Sequence, residues 1–158
     1  MTTIGVISDT HGMLRTTAEN ALKHVDAIIH AGDVGSFEVL KVLKKFAPVY
    51  AVRGNMDGGK LGDSLPSAEV VDLDVVLFYV IHDIALLDLD PVAAGMSVVI
   101  YGHSHKPQVH AKDGVIYLNP GSAGPRRFKL PITMAEILVD KTGEKARLHT
   151  RFIDLEEK

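Results

Sequence analysis

The chain has 158 residues, of which 46% are hydrophobic and 23% charged, with a formal net charge of −3 and no cysteine. That length fits a single domain over 1–158, large enough to bury roughly 68–70% of its unfolded surface. Without cysteine, disulfides, thiolate zinc sites and thiol nucleophiles are excluded, so any metal must be held by nitrogen and oxygen. The acidic balance provides no general field for nucleic acid, and no clear nucleic-acid surface is expected. The longest apolar run, Val75–Ile81, is far short of the ~18 residues that span a bilayer. The N-terminus lacks a basic, signal-like start. A cytoplasmic domain of enzyme size, with no membrane partner, is therefore expected.

Thr3–Ser8 reads as a buried first strand leading into Asp9-Thr10-His11-Gly12. Leu14 to about His24 predicts a helix, with Leu14, Ala18, Ala21, Leu22 and Val25 as its apolar positions. Ala27–His30 is a second strand, ending in Ala31-Gly32-Asp33. Ser36 is placed as an N-cap, and Phe37, Leu40, Leu43 and Phe46 give an apolar helix face up to Pro48. Val49–Val52 is a third strand, followed by Arg53-Gly54-Asn55-Met56-Asp57. Gly58 to Ser67 lacks periodicity and is expected to be the flexible segment.

Glu69–Leu73 and Val75–Ile81 predict a hairpin around Asp74, delivering His82-Asp83. Between Ile84 and Gly95 a short helix or loop is expected around Pro91–Ala94. Val98–Tyr101 is a short β-branched strand running into Gly102-His103-Ser104-His105. Gln108–Ala111 and Val115–Leu118 flank Asp113-Gly114, a strong hairpin turn. Asn119–Pro125 is turn-rich, and Ile132–Val139 with Lys145–Phe152 form a last hairpin. Strand and helix alternate in the first third and strands dominate afterwards. This pattern predicts an α/β protein in two packed sheets, with parallel strands first and antiparallel strands later. Exposed strand edges in so small a two-sheet domain point to homo-oligomers.

One feature repeats along the chain. Three apolar strands end in a glycine and then a metal-capable residue: Gly32-Asp33, Gly54-Asn55 and Gly102-His103. Two others end in Asp9-x-His11 and His82. Alone, His103-x-His105 is a weak signal, although residues two apart in extended chain point to one side. Together the set comprises two Asp, one Asn and four His, seven donors in all. Seven exceed what one tetrahedral ion takes, so two ions sharing a carboxylate are the natural reading. The ends of strands in α/β sheets are also where such folds bind their ligands.

Asp9-Thr10-His11, Gly32-Asp33, Gly54-Asn55-Met56-Asp57, His82 and Gly102-His103-Ser104-His105 resemble, in order and spacing, the metallophosphoesterase (calcineurin-like phosphoesterase) superfamily. The small size and the Asn119-Pro120-Gly121-Ser122 loop resemble its compact bacterial and archaeal phosphodiesterase branch. The resemblance implies a four-layer α/β/β/α sandwich of two mixed β-sheets flanked by helices. It further implies one metal on Asp9, His11 and His105, a second on Asn55, His82 and His103, and Asp33 bridging both. Asp33, Asn55 and His82 are the candidate catalytic residues. The implied function is a dinuclear phosphodiesterase that hydrolyses a small phosphodiester substrate by in-line attack of a bridging hydroxide. Two divalent ions are the expected cofactors, manganese by resemblance, with Fe, Zn, Ni or Co compatible with the donor set. Phosphomonoesterase activity, or a catalytically silent scaffold of the same fold, are the alternatives. The filled donor set favours an enzyme over a scaffold.

The chain departs from the family pattern at two positions. Many relatives carry histidine where this chain has Met56, and a thioether cannot protonate a leaving group. Asp83 stands where relatives commonly have Gly, and is read as orienting a ligand imidazole or capping the strand. His30 is expected to be a hydrogen-bonded core residue, and His24, His110 and His149 to lie on the surface or in sheets. Asp57 is read as orienting its loop, and Tyr79 and Tyr101 as core. The amides of Asn119–Ser122, with Arg126 and Arg127, are expected near a bound phosphate.

Overall fold

β-Branched and aliphatic runs that are apolar at every position can be buried on both faces of a sheet, and most central strands here are. In the computed structural model, which describes residues 1–156, the strands form two five-stranded sheets. The first contains β1 (Thr2–Ile7), β2 (Ala27–His30), β3 (Val49–Ala51), β9 (Thr133–Asp140) and β10 (Arg147–Asp154), ordered β10-β9-β1-β2-β3. The second contains β4 (Ala68–Leu73), β5 (Val76–Ile81), β6 (Val98–Ile100), β7 (Gln108–Lys112) and β8 (Val115–Asn119), ordered β4-β5-β6-β8-β7.

Side-chain alternation sorts the residues into layers. Ile4, Val6, Ile29 and Ile137 of the first sheet meet Val76, Phe78, Val80, Val98 and Ile100 of the second in the central core. Ile7, Ile28 and Ala51 point the other way, against α1 (Thr16–Leu22), α2 (Phe37–Leu43) and α3 (Gly59–Asp63). The outer face of the second sheet, with Tyr79, Ile81, Val99 and Tyr101, is covered by Ile84, Leu87, Leu89 and Met96. Four layers result, the last of them a 3₁₀ turn at Ile84–Leu86 with irregular chain. Among the described residues no helix is long and apolar enough to cross a membrane.

The structure differs from the expectations in three places and in a fourth takes one of two alternatives. Parallel pairing is not confined to the first third: β5, β6 and β8 form a second parallel trio. The first helix begins at Thr16 rather than Leu14. Between Ile84 and Gly95, where a short helix or a loop is expected, Pro91–Ala94 is a loop that follows the turn Ile84–Leu86. The glycine-rich stretch expected to be flexible contains α3, whose Leu61 is buried and whose Gly62 carbonyl accepts from Arg53 at 3.2 Å.

Register then positions the loops. Ile7 lies opposite His30 and His30 opposite Ala51, so β1, β2 and β3 finish level with one another. Val80 pairs with Ile100 in the second sheet in the same way. The chain therefore leaves several parallel strands side by side.

Candidate metal centre

Sharp turns are needed to bring side chains at these strand ends back over the sheet edge. Asp9 (φ 56°), His11 (48°), Asp33 (55°), His103 (74°) and His105 (63°) all adopt left-handed backbone. That conformation costs an L-residue roughly 1–2 kcal/mol, least for Asn, Asp and His. Backbone bonds hold it: Asp9 N–H donates to Gly32 O at 3.0 Å, and His11 N–H to Asp33 O at 3.0 Å. The glycines permit close approach, since a Cβ on Gly54 would lie 2.1 Å from Asp33 Oδ1 and one on Gly102 would lie 2.2 Å from Ser8 Oγ.

The seven predicted donors converge. Asp9 Oδ1 lies 3.3 Å from His105 Nε2, 3.8 Å from His11 Nε2 and 3.9 Å from His82 Nε2. Asp33 Oδ2 lies 3.2 Å from His82 Nε2 and 3.8 Å from His11 Nε2. Asn55 Oδ1 joins the other end, 3.0 Å from His82 Nε2 and 3.1 Å from His103 Nδ1. Two groups thus form, Asp9 with His11 and His105, and Asp9 with Asp33 and His82. Asp9 is common to both groups, and Asp33, expected in the shared position, belongs to the second and lies 3.8 Å from His11 of the first.

Hydrogen bonds fix the orientations. His82 Nδ1–H donates to Ala31 O at 2.8 Å, which turns the Nε2 lone pair towards the carboxylates. Asp9 Oδ2 accepts from Ser8 Oγ at 2.7 Å and His103 N–H at 3.2 Å, while Asp33 Oδ1 accepts from Met56 N–H at 2.8 Å. The Asp9 Oδ1 atom is different. It is buried, has no hydrogen-bond partner among the described residues, and looks onto three imidazole nitrogens at 3.3, 3.8 and 3.9 Å. An orphaned buried carboxylate oxygen among neutral nitrogen donors fits a cation.

Titration reflects this crowding. Burial pushes the Asp9 carboxyl up, but His105, Ser8 and the charge of His82 outweigh it and hold it below the usual carboxylate range. Asp33 is likewise lowered: burial opposes, and His82 and the Met56 amide prevail. His82 is raised, because contact with Asp33 and the charges of Asp9 and Asp33 overcome burial.

Other residues take supporting positions. His30 is fully buried behind the site, its Nδ1 accepting from Gly32 N–H at 3.1 Å and its Nε2–H facing Thr10 Oγ1 at 3.0 Å, which in turn donates to Val34 O. Burial lowers it to about 4. Asp57 accepts from the N–H groups of Val34, Gly35 and Gly54, tying two of the site's loops together. Asp83 caps Ala85 N–H at 3.0 Å, and its other oxygen lies 4.0 Å from His103 Nε2, not against His82. Met56 is 67% exposed at the rim. His24 meets Glu136 at 2.9 Å, His110 stacks on Tyr117, and His149 is exposed on β10; none joins the centre.

The side chains of Asn119 and Ser122 take a role apart from the one expected of the loop's amides. Asn119 Nδ2 donates to Gly102 O and Ser104 Oγ at 3.1 Å, and Ser122 Oγ donates to Asp9 O at 3.1 Å. They brace the donor loops from behind. Ser8, Thr10 and Ser104 were missed altogether, for a lone hydroxyl leaves no periodic or spacing signal.

Two openings flank the centre. One of ≈ 370 Å³ adjoins Asn55 and His82 and is walled by Arg53, Ser67, Tyr79, Asp83 and Asp88. The other, a groove of ≈ 980 Å³, is lined by Ser104, Lys106, Arg127, Phe128, Lys129 and Leu130. Arg126 instead pairs with Glu156.

Comparison with known proteins agrees with the geometry. Residues 2–142 match the calcineurin-like phosphoesterase superfamily domain. A probable metallophosphoesterase of Methanocaldococcus jannaschii is 35% identical, aligned over 98% of this chain and 82% of the relative. A phosphodiesterase of the same archaeon is 30% identical over 75% of this chain and 82% of its own. In fold, Vacuolar Protein Sorting 29 from Cryptosporidium parvum superposes with a TM-score of 0.74 at 21% identity, covering 97% of this chain and 98% of the other. With strand order, donor positions and sequence similarity in accord, the chain belongs to the calcineurin-like phosphoesterase superfamily, on its compact archaeal branch.

Proposed function

We propose that this chain is a dinuclear metal-dependent phosphodiesterase acting on small organic phosphodiesters. The observation that carries the reading is the unpartnered, buried Asp9 Oδ1 facing three imidazole nitrogens, within a donor set that has no gap. Asp9, His11 and His105 would hold one divalent ion and Asn55, His82 and His103 the other, with Asp33 between them. When bound, two such ions supply Lewis-acid polarisation of a phosphoryl oxygen and a water of lowered pKa. Manganese is the proposed metal on family likeness, the mixed imidazole and carboxylate donors also suiting Fe, Zn, Ni or Co.

The chain's own groups do the rest. The Asn55 oxygen would ligate without adding negative charge, which would keep the centre attractive to a phosphate anion. Ala31 O holds His82 in one tautomer, and Asp83 lies towards the outer nitrogen of His103. Met56 brings no dissociable proton to the rim, so the leaving oxygen must be a good one or find its proton elsewhere.

Metal analysis together with turnover of bis(4-nitrophenyl) phosphate and 4-nitrophenyl phosphate tests the reading. Two manganese ions per chain and faster diester turnover are expected, with a loss of about 100-fold or more in Asp33→Ala and Asn55→Ala. Undiminished activity in either variant would overturn the assignment. Preference for the monoester would make the chain a phosphomonoesterase, and no turnover with less than one metal bound would return it to the scaffold class.

A further inference from the structure

The groove beside the His103–His105 loop is not used by the reaction as described, and its chemistry is unlike the rest of a chain of net charge −3. Its wall carries Lys106, Arg127 and Lys129 and no carboxylate. Among the described residues, none of these three cations has an ion-pair partner, whereas neighbouring Arg126 is taken by Glu156. Between Arg127 and Lys129 stands Phe128, 87% exposed and with φ at 56°. A bulky aromatic residue in left-handed backbone is an outlier, and strain of this kind collects at ligand clamps. The groove also borders the loop that carries two of the donors. Ser104 lines it, sits between two donor residues, and is held by Asn119 Nδ2 at 3.1 Å.

We infer that this groove is a substrate subsite for a nucleotide arm: a planar base stacked on Phe128 and a further phosphate met by Arg127, Lys129 and Lys106. An exposed ring accepts any base by its face, and a guanidinium accepts phosphate in bidentate fashion. The inference rests on the phosphodiesterase reading and names its substrate class, a nucleotide esterified at one phosphate and carrying a second. Hydrolysis there adds one water across the scissile P–O bond. The water oxygen bonds phosphorus, its proton leaves with the ester oxygen, and the nucleotide arm keeps the new phosphate terminus.

The test uses the whole manganese-loaded chain. Calorimetry measures binding of thymidine 3′,5′-bisphosphate. Kinetics compare methyl 4-nitrophenyl phosphate with thymidine 5′-(4-nitrophenyl phosphate) and its 3′-phosphorylated analogue. Arg127→Ala/Lys129→Ala is expected to weaken bisphosphate binding about tenfold and to reduce by a similar factor the preference for the 3′-phosphorylated ester over the methyl ester. Phe128→Gly is expected to lower affinity for the bisphosphate and the preference for both thymidine esters. Because glycine relieves the left-handed backbone, its Tm should stay at or above wild type, which assigns the loss to the ring. Unchanged affinity and unchanged preference in both variants would overturn the subsite. Absence of turnover on every ester by wild type would instead overturn the phosphodiesterase reading, and calorimetry would still decide the groove.

Discussion

His30 shows how one buried residue sets a pH limit for the metal-free chain. Its pKa is lowered by burial to about 4, against an unfolded value of about 6.5. Below the unfolded value the open chain binds a proton that the folded chain refuses, so stability falls as pH drops from about 6.5 towards 4, by about 3 kcal/mol in total. The other shifted groups of the site, of which only His82 opposes His30 in sign, act outside that window. His82, raised, gives up its contribution only as pH climbs past its unfolded value, and the lowered Asp9 and Asp33 lose theirs below the ordinary carboxylate range. Thermal melts of metal-free protein should therefore show a steep fall between pH 6.5 and 4.5 that His30→Gln flattens; parallel slopes in the two proteins would refute this. Met56 is the other telling residue, exposed at the rim with its amide already donated to Asp33. Met56→His should leave that backbone bond in place and add a proton donor, raising turnover by about 10–100-fold for alkyl leaving groups and little for nitrophenolate. Equal effects across a leaving-group series would count against the idea.

At the scale of elements, turn chemistry separates what is optimised from what is strained. The Asp113-Gly114 turn between β7 and β8 has both residues at positive φ with glycine second, as a two-residue hairpin prefers. The Asp74-Val75 turn between β4 and β5 uses the same backbone, but places an exposed β-branched residue at φ 64°. Val75→Gly should stabilise the chain by about 1 kcal/mol after the entropy of glycine is subtracted, raising Tm by about 2–4 °C. A lower Tm would show that Val75 has another role. The same elements indicate what was legible in the residues. β-Branched runs ending in glycine announced their strands and the donors beyond them, because burial on both faces and close backbone approach both leave compositional marks. The helix Gly59–Asp63 left none: its three-dimensional supports are Leu61 against the outer core and Arg53 on Gly62 O, neither visible as local propensity. The parallel trio of the second sheet was hidden for a similar reason, since β-branched runs do not encode strand direction. The braces Asn119 and Ser122 were seen as a turn, but their partners lie 15 or more residues away.

Across the whole molecule, the centre is a concentration of cost. Five of its residues hold left-handed backbone, and two carboxylates share one pocket with four imidazoles. Binding that offsets these costs must appear as stability. Manganese at 100 times its Kd should add about 2.7 kcal/mol, and raise Tm by about 5–10 °C, reversed by a chelator; an unchanged Tm would argue against metal occupancy. The donors are also divided by origin. Asp9, His11, Asp33 and Asn55 follow strands of the first sheet, and His82, His103 and His105 follow strands of the second. An ion gripped from both sides would clip one half of the sandwich to the other at its rim. In a chain with no cysteine, it would be a removable cross-link. Amide exchange at the ends of β2 and β6 should then slow together when manganese is added, and quicken together when it is stripped, as one opening unit rather than two.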